Sequence, residues 1–354
     1  MYIPDFGMID RIASIMEIFV SIICPIYQEE KYIGKCIESI LRQDYPRDRL
    51  ELLLIDGIST DRTREIVGAY REQYSFIRLI DNPYKVVPTA LNIGIEQAKG
   101  DVIMRIDGHC EYPVNYVSML VHYLFKLDAD NVGGVWNTRP ARLTTECIAI
   151  AEASSHIFGV GGSIHKIGAK QIVRTDTVPF GCYRRSVFDK IGLFDEELIR
   201  NQDDELNARL INNGGKIYLI PEIVINYIAR DSLKKMCRMY YQYGLFKPLV
   251  TKKLGAPATL RQFFPALFLV CLVVGVILAF VFPWFMWLYV LVLALYFLIG
   301  SIIGLIEGFR YKKVLLVLYM PLTFLLIHVC YGWGYLNGIF KLILHKKIAV
   351  EINR

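Results

Sequence analysis

Residues 76–107 read FIRLIDNPYKVVPTALNIGIEQAKGDVIMRID: an apolar run closed by Asp81, a stretch with helical spacing, and a second apolar run closed by Asp107. Short runs of Ile, Leu and Val bounded by turn residues read as buried strands, and PTALNIGIEQAKG between them reads as a helix stopped by Gly100. The same unit repeats upstream. VSIICP (20–25) is a strand, IGKCIESILRQ sets Ile33, Cys36, Ile37, Ile40 and Leu41 at helical spacing, and LELLLID (50–56) is a strand ending in Asp56. After it, Thr60 and Asp61 can cap a helix running to Tyr70. Strands and helices alternating at this interval specify a largely parallel, doubly wound α/β sheet, in which ligands gather at the carboxyl ends of the strands. Those ends carry Pro25 with Tyr27, Asp56, Asp81 and Asp107, so carboxylates converge on one rim.

After Gly133 the pattern loosens into VGGVWNTRPAR, an amphipathic stretch from Glu146 to Ser155 and the Gly-rich FGVGGS. Long irregular segments over a sheet rim usually serve function, so this part is expected to receive a second substrate. Order returns with TVPFGCYRRSVFDKIGLFDEEL, a helix NQDDELNARLINN ended by Gly214, the strand KIYLIP, and an amphipathic helix SLKKMCRMYYQYGLFK.

Composition divides the chain. Apolar residues make up 54% and charged residues 21% of the 354, and the apolar excess lies after Arg261. Runs at about 264–282, 284–306 and 314–336 each approach the roughly twenty residues that a bilayer crossing requires. Two read as full crossings. The third holds Pro321, His328 and glycines, and a full third crossing would put the basic tail KLILHKK outside, against the positive-inside tendency. A re-entrant or interfacial passage is the alternative. The expected organisation is an amphipathic segment 1–19, an α/β domain 20–247, a juxtamembrane linker 248–262, a membrane domain 263–340 and a basic cytoplasmic or interfacial tail 341–354.

The net charge of +6 does not point to nucleic acid, because the basic residues do not cluster with base-stacking aromatics. Lys252, Lys253, Arg261, Arg310, Lys312, Lys313, Lys346 and Lys347 instead flank the apolar runs, which suits an anionic cytoplasmic leaflet. Eight scattered cysteines without a Cys-x-x-Cys pair argue against a disulfide framework or structural zinc. Asp5, Asp10, Arg11 and Glu17 interrupt any apolar leader, so the soluble part is expected in the cytosol at the plasma (inner) membrane. His122, His156, His165 and His328 lack partners at metal spacing and read as packing or hydrogen-bonding residues.

CPIYQEEKYIGKCIESILRQDYP (24–46) resembles the start of family 2 glycosyltransferases, where a strand ends in Pro-x-Tyr/Phe-Asn/Gln-Glu and the next helix carries Ser-hydrophobic-Leu-x-Gln. Here these are Pro25, Tyr27, Gln28 and Glu29, then Ser39, Leu41 and Gln43. Tyr27 can lie against a base while Glu29 accepts a ribose hydroxyl. In LLLIDGISTDRT the resemblance implies that Asp56 contacts a uracil ring, and a carboxylate there can accept from the base N3–H. Residues 81–112 follow with Asn-Pro, Ala-Leu-Asn-x-Gly and Lys-Gly-Asp, and Lys85 in that stretch joins the nucleotide-sugar set. Where the family ends a strand in Asp-x-Asp, this chain has Asp107, Gly108 and His109. An extended segment would put Asp107, His109 and Glu111 on one face for a divalent ion. Imidazole in place of the second carboxylate suits Mn²⁺ better than Mg²⁺. The Arg105, Asp107, His109, Tyr112 arrangement is similar to the succinoglycan-type exopolysaccharide glucosyltransferase subgroup.

The last motif, RNQDDELNARL (200–210), resembles Glu-Asp-x-Asp/Glu-Leu-x-x-Arg, with Gln202 and Asp203 in the Glu-Asp positions and Arg209 closing it. One carboxylate near the acceptor hydroxyl must act as base; Asp203 is the first candidate and Asp204 its neighbour-competitor. Phe180 and Gly181, with Pro179, are expected on the acceptor side after Thr175–Thr177, with Arg184 or Arg185 near phosphate. Gln242 is also placed on the acceptor side, but the Arg-Trp of processive relatives is missing from YQYGLFK, which favours single transfers.

The resemblance implies a GT-A fold, a Rossmann-like mixed sheet flanked by helices and followed by transmembrane helices. It implies a UDP-sugar donor, a divalent metal and inversion at the anomeric carbon. The expected reaction moves a hexose such as glucose to a lipid-linked saccharide during exopolysaccharide or capsule assembly, alongside other polysaccharide-assembly proteins. Transfer to bare polyprenyl phosphate is one alternative. An inactive membrane scaffold or nucleotide-sugar sensor, suggested by His109 and Gln202 replacing acids, is another.

Overall fold

The computed structural model describes residues 17–346 and Ile348. Most of the expected segment 1–19, and the end of the tail, lie outside the described residues. The chain divides into two compact units, one running to Asn137 and resuming over Gly168–Tyr227, the other comprising Thr138–Ile167 and everything from Ile228 onward.

The first unit is built on strands β1 (Val20–Ile26), β2 (Leu50–Asp56), β3 (Ile77–Asp81) and β4 (Val102–Arg105), joined by helices α1 (Ile33–Leu41), α2 (Thr63–Gln73) and α3 (Val87–Gln97). β5 (Cys110–Glu111), α4 (Tyr116–Lys126) and β6 (Asn131–Arg139) follow. The sheet is completed by β7 (Val173–Arg174), β8 (Cys182–Arg184) and β9 (Ile217–Ile228). The sheet order is β3-β2-β1-β4-β8-β6-β9-β5, with β7 on β9. The β3-β2-β1-β4 half is parallel, whereas β8 is antiparallel to both β4 and β6. The sheet is therefore mixed. Parallel strands covered on both faces need continuous apolar runs, and every residue of β2 is buried. Even Glu51 is buried, because the Ser21 hydroxyl and the Arg78 guanidinium donate to it. Register aligns Ile26, Asp56 and Asp81 across β1, β2 and β3, so the strand ends form one edge.

Four local expectations need correction. α3 ends at Gln97, before Gly100. A Cβ on Gly100 would sit 2.6 Å from the Ser21 nitrogen, so that glycine serves close strand packing rather than a helix stop. The stretch after Gly133 is not irregular but the nine-residue strand β6. Its glycines mark close backbone approach, a Cβ on Gly134 falling 2.3 Å from the Ile223 carbonyl oxygen. β9 likewise runs seven residues past Pro221. Finally, Arg184 and Arg185 are not at the rim: Arg184 pairs with Val102 at the opposite, amino end of β4. It donates to the Ala129 carbonyl, and Arg185 donates to the carbonyls of Ala98 and Gly100.

The second unit is helical: α5 (Thr145–Ser155), short α6 (Ile157–Val160) and α7 (Ile164–Ile167), then, after α8 (Arg185–Ile191) and α9 (Gln202–Asn212) of the first unit, α10 (Leu233–Leu254), α11 (Phe264–Val281), α12 (Pro283–Tyr311) and α13 (Leu316–Ile343). Three of its helices are long and apolar enough to cross a membrane: α11 with the preceding turn from Leu260, α12 and α13. α13 is the least apolar and the most buried of them. Its glycines explain why: a Cβ on Gly334 would lie 2.1 Å from the Tyr241 carbonyl oxygen on α10. Small residues there let two backbones touch, which is the packing that membrane helices favour. His328 bonds the Tyr296 hydroxyl at 2.8 Å, and His156 accepts from the Phe158 N–H at 3.1 Å.

Candidate functional site

The candidate site is the carboxyl edge of the first unit's parallel strands. The backbone is unusual there: Gln28, Ile58, Lys85, Phe180 and Asn201 all have φ between +49° and +60°. For a β-branched residue such as Ile58 this region is strained, and strain of that kind persists where the surrounding structure over-determines it, often at ligand sites.

Beyond β1 and β2, Tyr27, Gly57 and Lys85 meet. Lys85 Nζ lies 5.9 Å from the Tyr27 ring centroid, and a Cβ on Gly57 would be 3.0 Å from the same ring. Asp56, at the end of β2, has no exposed side-chain surface. Its Oδ1 accepts from the Ser59 hydroxyl at 2.6 Å; its Oδ2 takes the Ser59 N–H at 3.0 Å and Arg64 Nη1 at 2.6 Å. The same Nη1 reaches Asp81 Oδ1 at 2.7 Å. Asp81 and Asp56 hold the Arg64 proton more firmly than usual.

Asp107 lies two residues beyond β4, and its backbone is tied on both sides. Its N–H donates to the Tyr112 hydroxyl at 2.8 Å, and its carbonyl accepts from the Cys110 N–H at 3.2 Å. That second bond closes a turn through Gly108 and His109, which corrects the expectation of an extended face. Glu111 instead pairs with Asn226 in the sheet. Burial keeps the Tyr112 hydroxyl protonated well above its ordinary range, so it remains a neutral partner for Asp107.

Glu29 is sealed, and His109 Nδ1 stands 3.4 Å from its Oε1. A proton on Nδ1 facing a carboxylate sets the tautomer in which Nε2 carries the lone pair, the usual second-shell arrangement around a metal. No group of three or more His, Cys, Asp or Glu that could hold a metal ion exists among the described residues. Magnesium and manganese at nucleotide sites are commonly held by one or two carboxylates together with substrate phosphates. Asp107, with Glu29-backed His109, fits that shared mode and not an all-protein cage.

Arg105 joins the pieces. Nη2 donates to Asp107 Oδ1 at 3.2 Å, Nη1 is 3.9 Å from Asp203 Oδ2, and the Phe180 ring lies 5.8 Å from the guanidinium carbon. Burial alone works against the Arg105 charge, but Asp107 and Asp203 outweigh it and raise its pKa. Its N–H also donates to the Gly181 carbonyl at 3.0 Å, so the expected acceptor-side pair Phe180 and Gly181 flanks the same residue. Asp203 opens α9 after left-handed Asn201, in a first turn that also holds Asp204 and Glu205. Its Oδ1 accepts the Asp204 N–H at 3.0 Å. α9 is fixed by Arg209, which grips Glu205 through two bonds (2.9 and 2.8 Å) and donates to the carbonyls of Ile191 and Leu193. Asn207 adds a buried bond to Asn131 at 2.9 Å. Asn92 of the Ala-Leu-Asn motif clamps Phe194 and Glu196 ahead of α9.

Sequence reasoning brought Tyr27, Lys85, Arg105, Asp107, His109, Glu29, Phe180, Gly181 and Asp203 to one edge. It left out Arg64, which no motif flagged, and an aromatic pair beside His109: Trp136 stacks on Tyr227 at 4.2 Å and 5°, with Tyr227 6.0 Å from His109. Pro25 stays inside β1 opposite Ile55. Gln242 is buried on α10, in the second unit.

Comparison with known proteins matches residues 21–192 to the Glycosyl transferase family 2 description. The dolichyl N-acetyl-alpha-D-glucosaminyl phosphate 3-beta-D-2,3-diacetamido-2,3-dideoxy-beta-D-glucuronosyltransferase of Methanococcus voltae is 30% identical, covering 91% of this chain and 98% of that protein. The succinoglycan biosynthesis protein ExoA of Rhizobium meliloti (strain 1021) is 29% identical over 69% of this chain and 73% of its own length. The mannosyltransferase PcManGT from Pyrobaculum calidifontis, solved with GDP-Man and Mn2+, superposes with a TM-score of 0.59 at 20% identity, over 90% of this chain and 88% of that one, a likeness of fold.

Proposed function

The chain belongs to glycosyl transferase family 2, and from that premise we propose that it transfers one hexose, such as glucose, from a UDP-sugar to a lipid-linked saccharide, with inversion at the anomeric carbon. The observation that carries this reading is Arg105, which stands between Asp107 at the end of β4 and Asp203 at the start of α9. A donor-side carboxylate and an acceptor-side carboxylate thereby share one site. On the donor side the reading places Pro25, Tyr27, Glu29, Asp56, Lys85, Arg105 and Asp107.

Asp203 takes the proton of the acceptor hydroxyl as that oxygen bonds to the sugar's C1, and the bond from C1 to the diphosphate breaks on the opposite side. Arg105, 3.9 Å away, and the helix N-terminus both place positive charge beside that carboxylate. Asp204 is the neighbouring carboxylate in the same turn. Asp107 and His109 would hold a divalent ion, Mn²⁺ or Mg²⁺, which supplies charge neutralisation to the departing diphosphate. Phe180 and Gly181 shape the acceptor side, with the Trp136–Tyr227 stack as a flat apolar surface for a sugar face.

The Methanococcus voltae relative supports a lipid-linked saccharide as acceptor, because its name specifies a sugar already carried on dolichyl phosphate. ExoA supports a place in exopolysaccharide assembly. The three long apolar helices support a membrane-held enzyme, read here as multi-pass with a catalytic domain over 20–247 on the cytoplasmic face. A screen of UDP-sugars against membrane-lipid extracts with Mn²⁺ tests the reading. Transfer to a lipid-linked saccharide is the expected result. Preference for bare polyprenyl phosphate would overturn the acceptor, and absence of any UDP release would overturn the enzyme reading in favour of a scaffold.

A further inference from the structure

We propose that Cys237 on α10 and Cys330 on α13 form a redox-responsive thiol pair that closes into a disulfide and clamps the two helices together. The pair lies wholly in the second unit and goes beyond the sugar transfer proposed above.

The two helices run parallel at backbone contact. A Cβ on Gly334 would strike the Tyr241 carbonyl oxygen, and one on Gly338 the Leu245 carbonyl oxygen, so each glycine of α13 lies against the residue 93 positions before it. Tyr241 and Leu245 are about one turn apart, as are Gly334 and Gly338, and residues four apart share a helix face. One turn earlier on both helices, the same offset of 93 pairs Cys237 with Cys330. The two thiols hydrogen-bond to each other there. Asn337 Nδ2 donates to the Tyr241 hydroxyl at 2.5 Å and ties the same two helices a turn further along. Thiols already in contact across so close a pair of helices need only a short contraction to reach the S–S bond length of about 2 Å.

The setting separates this pair from the other six cysteines. Cys24 and Cys36 also share a hydrogen bond, but both are sealed in the first unit's core. Cys110, Cys147 and Cys182 are buried, and Cys271 is exposed on α11. Cys237 and Cys330 are each partly exposed, at the margin of the core built around Met236, Tyr240, Phe324 and Ile327. The hydrogen bond with Cys330 holds the Cys237 thiol below its ordinary range, against the opposing effect of partial burial. Reactive cysteines combine thiolate character with access, so Cys237 is the attacking thiol and Cys330 the resolving one.

The co-reactant is a small disulfide, such as oxidised glutathione. The Cys237 thiolate attacks one of its sulfurs, which forms a mixed disulfide and releases one small thiolate. Cys330 then loses its proton and attacks the Cys237 sulfur; the bond between the helices forms and the second small thiolate leaves. Two protein thiols are oxidised, one small disulfide is reduced, and the two protons end on the two small thiols. In a reducing compartment such a bond is transient and senses redox state.

The test is peptide mass spectrometry, after alkylation, of the full chain in lipid nanodiscs equilibrated with mixtures of reduced and oxidised glutathione. The expected result is a cross-linked peptide joining Cys237 to Cys330 that grows with the oxidised fraction and disappears when reduced glutathione is restored. Cys330→Ser is expected to stop at a glutathione adduct on Cys237, and Cys237→Ser to form no adduct at Cys330. Because the bond closes a long loop, the oxidised wild type is also expected to unfold at a higher temperature than the reduced one, a difference absent from both serine variants. The wild type alone carries the test should the variants not fold. A wild type without this cross-link in any mixture, or with no rise in unfolding temperature, would overturn the clamp while leaving sugar transfer standing. An adduct at Cys330 in Cys237→Ser would overturn Cys237 as the attacking thiol.

Discussion

Arg105 Nη1 stands 3.9 Å from Asp203 Oδ2, although 98 residues of chain separate the two positions. Its Nη2 holds Asp107, so a largely covered cation sits between two carboxylates contributed by a strand end and a helix start. Two carboxylates repel one another, and a cation between them offsets that repulsion.

Arg105→Gln removes the cation. The variant is expected to lose about hundredfold or more in turnover. Turnover of the variant measured beside the wild type checks it.

Tyr112→Phe leaves the Asp107 N–H without its hydroxyl acceptor in a buried setting. An unsatisfied buried donor costs about 1–3 kcal/mol. The expected outcome is a lower melting temperature together with weaker UDP binding, because the turn that aims Asp107 is loosened. Thermal unfolding and calorimetry on the same preparation check it.

Arg209→Ala strands Glu205, which is 5% exposed, and releases the carbonyls of Ile191 and Leu193. Leaving the buried Glu205 carboxylate without its partner costs about 3–5 kcal/mol. UDP affinity should hold while turnover falls, since Asp203 rides on the loosened helix and the nucleotide edge does not. This split separates a structural role for Arg209 from a catalytic one.

Asp61 accepts N–H bonds from Thr63 and Glu30 at 3.0 and 3.1 Å. Partial burial would raise its pKa, but the bonds from Thr63 and Glu30 outweigh it and hold the carboxyl below its usual range. A depressed folded pKa contributes stability above the unfolded value and loses it as pH falls through the folded one. Asp61→Ala should therefore cost about 1 kcal/mol at neutral pH, the order of a lost hydrogen bond, and its deficit against wild type should shrink on acidification below the ordinary carboxylate range. Melting temperatures of both proteins across pH check this.

The parallel half of the sheet was legible because its strands are short, mostly apolar runs, VSIIC, LELLLI and FIRLI, each broken by a single polar residue and followed by turn residues. The second half was not. β6 carries Gly133 and Gly134, which read as loop until Val178 and Pro179 are seen lying against the first and the Ile223 backbone against the second. The rim aspartates were legible as strand-ending acids, and Asp203 as an acid opening a helix. Glu29 illustrates the limit: its place in a motif suggested contact with ribose, but burial beside His109 depends on a turn at Gly108 that spacing could not distinguish from an extended segment. Arg64 was invisible for a similar reason. One Arg among several on an amphipathic helix acquires meaning only when β2 and β3 align Asp56 with Asp81.

The most direct measurement is turnover of purified Asp203→Asn alongside its affinity for UDP. The expected result is a turnover lowered by about a hundredfold to ten-thousandfold, the span attributable to a general base, with UDP binding and melting temperature unchanged. A folded Asp203→Asn enzyme that transfers sugar at a near-normal rate would contradict the account.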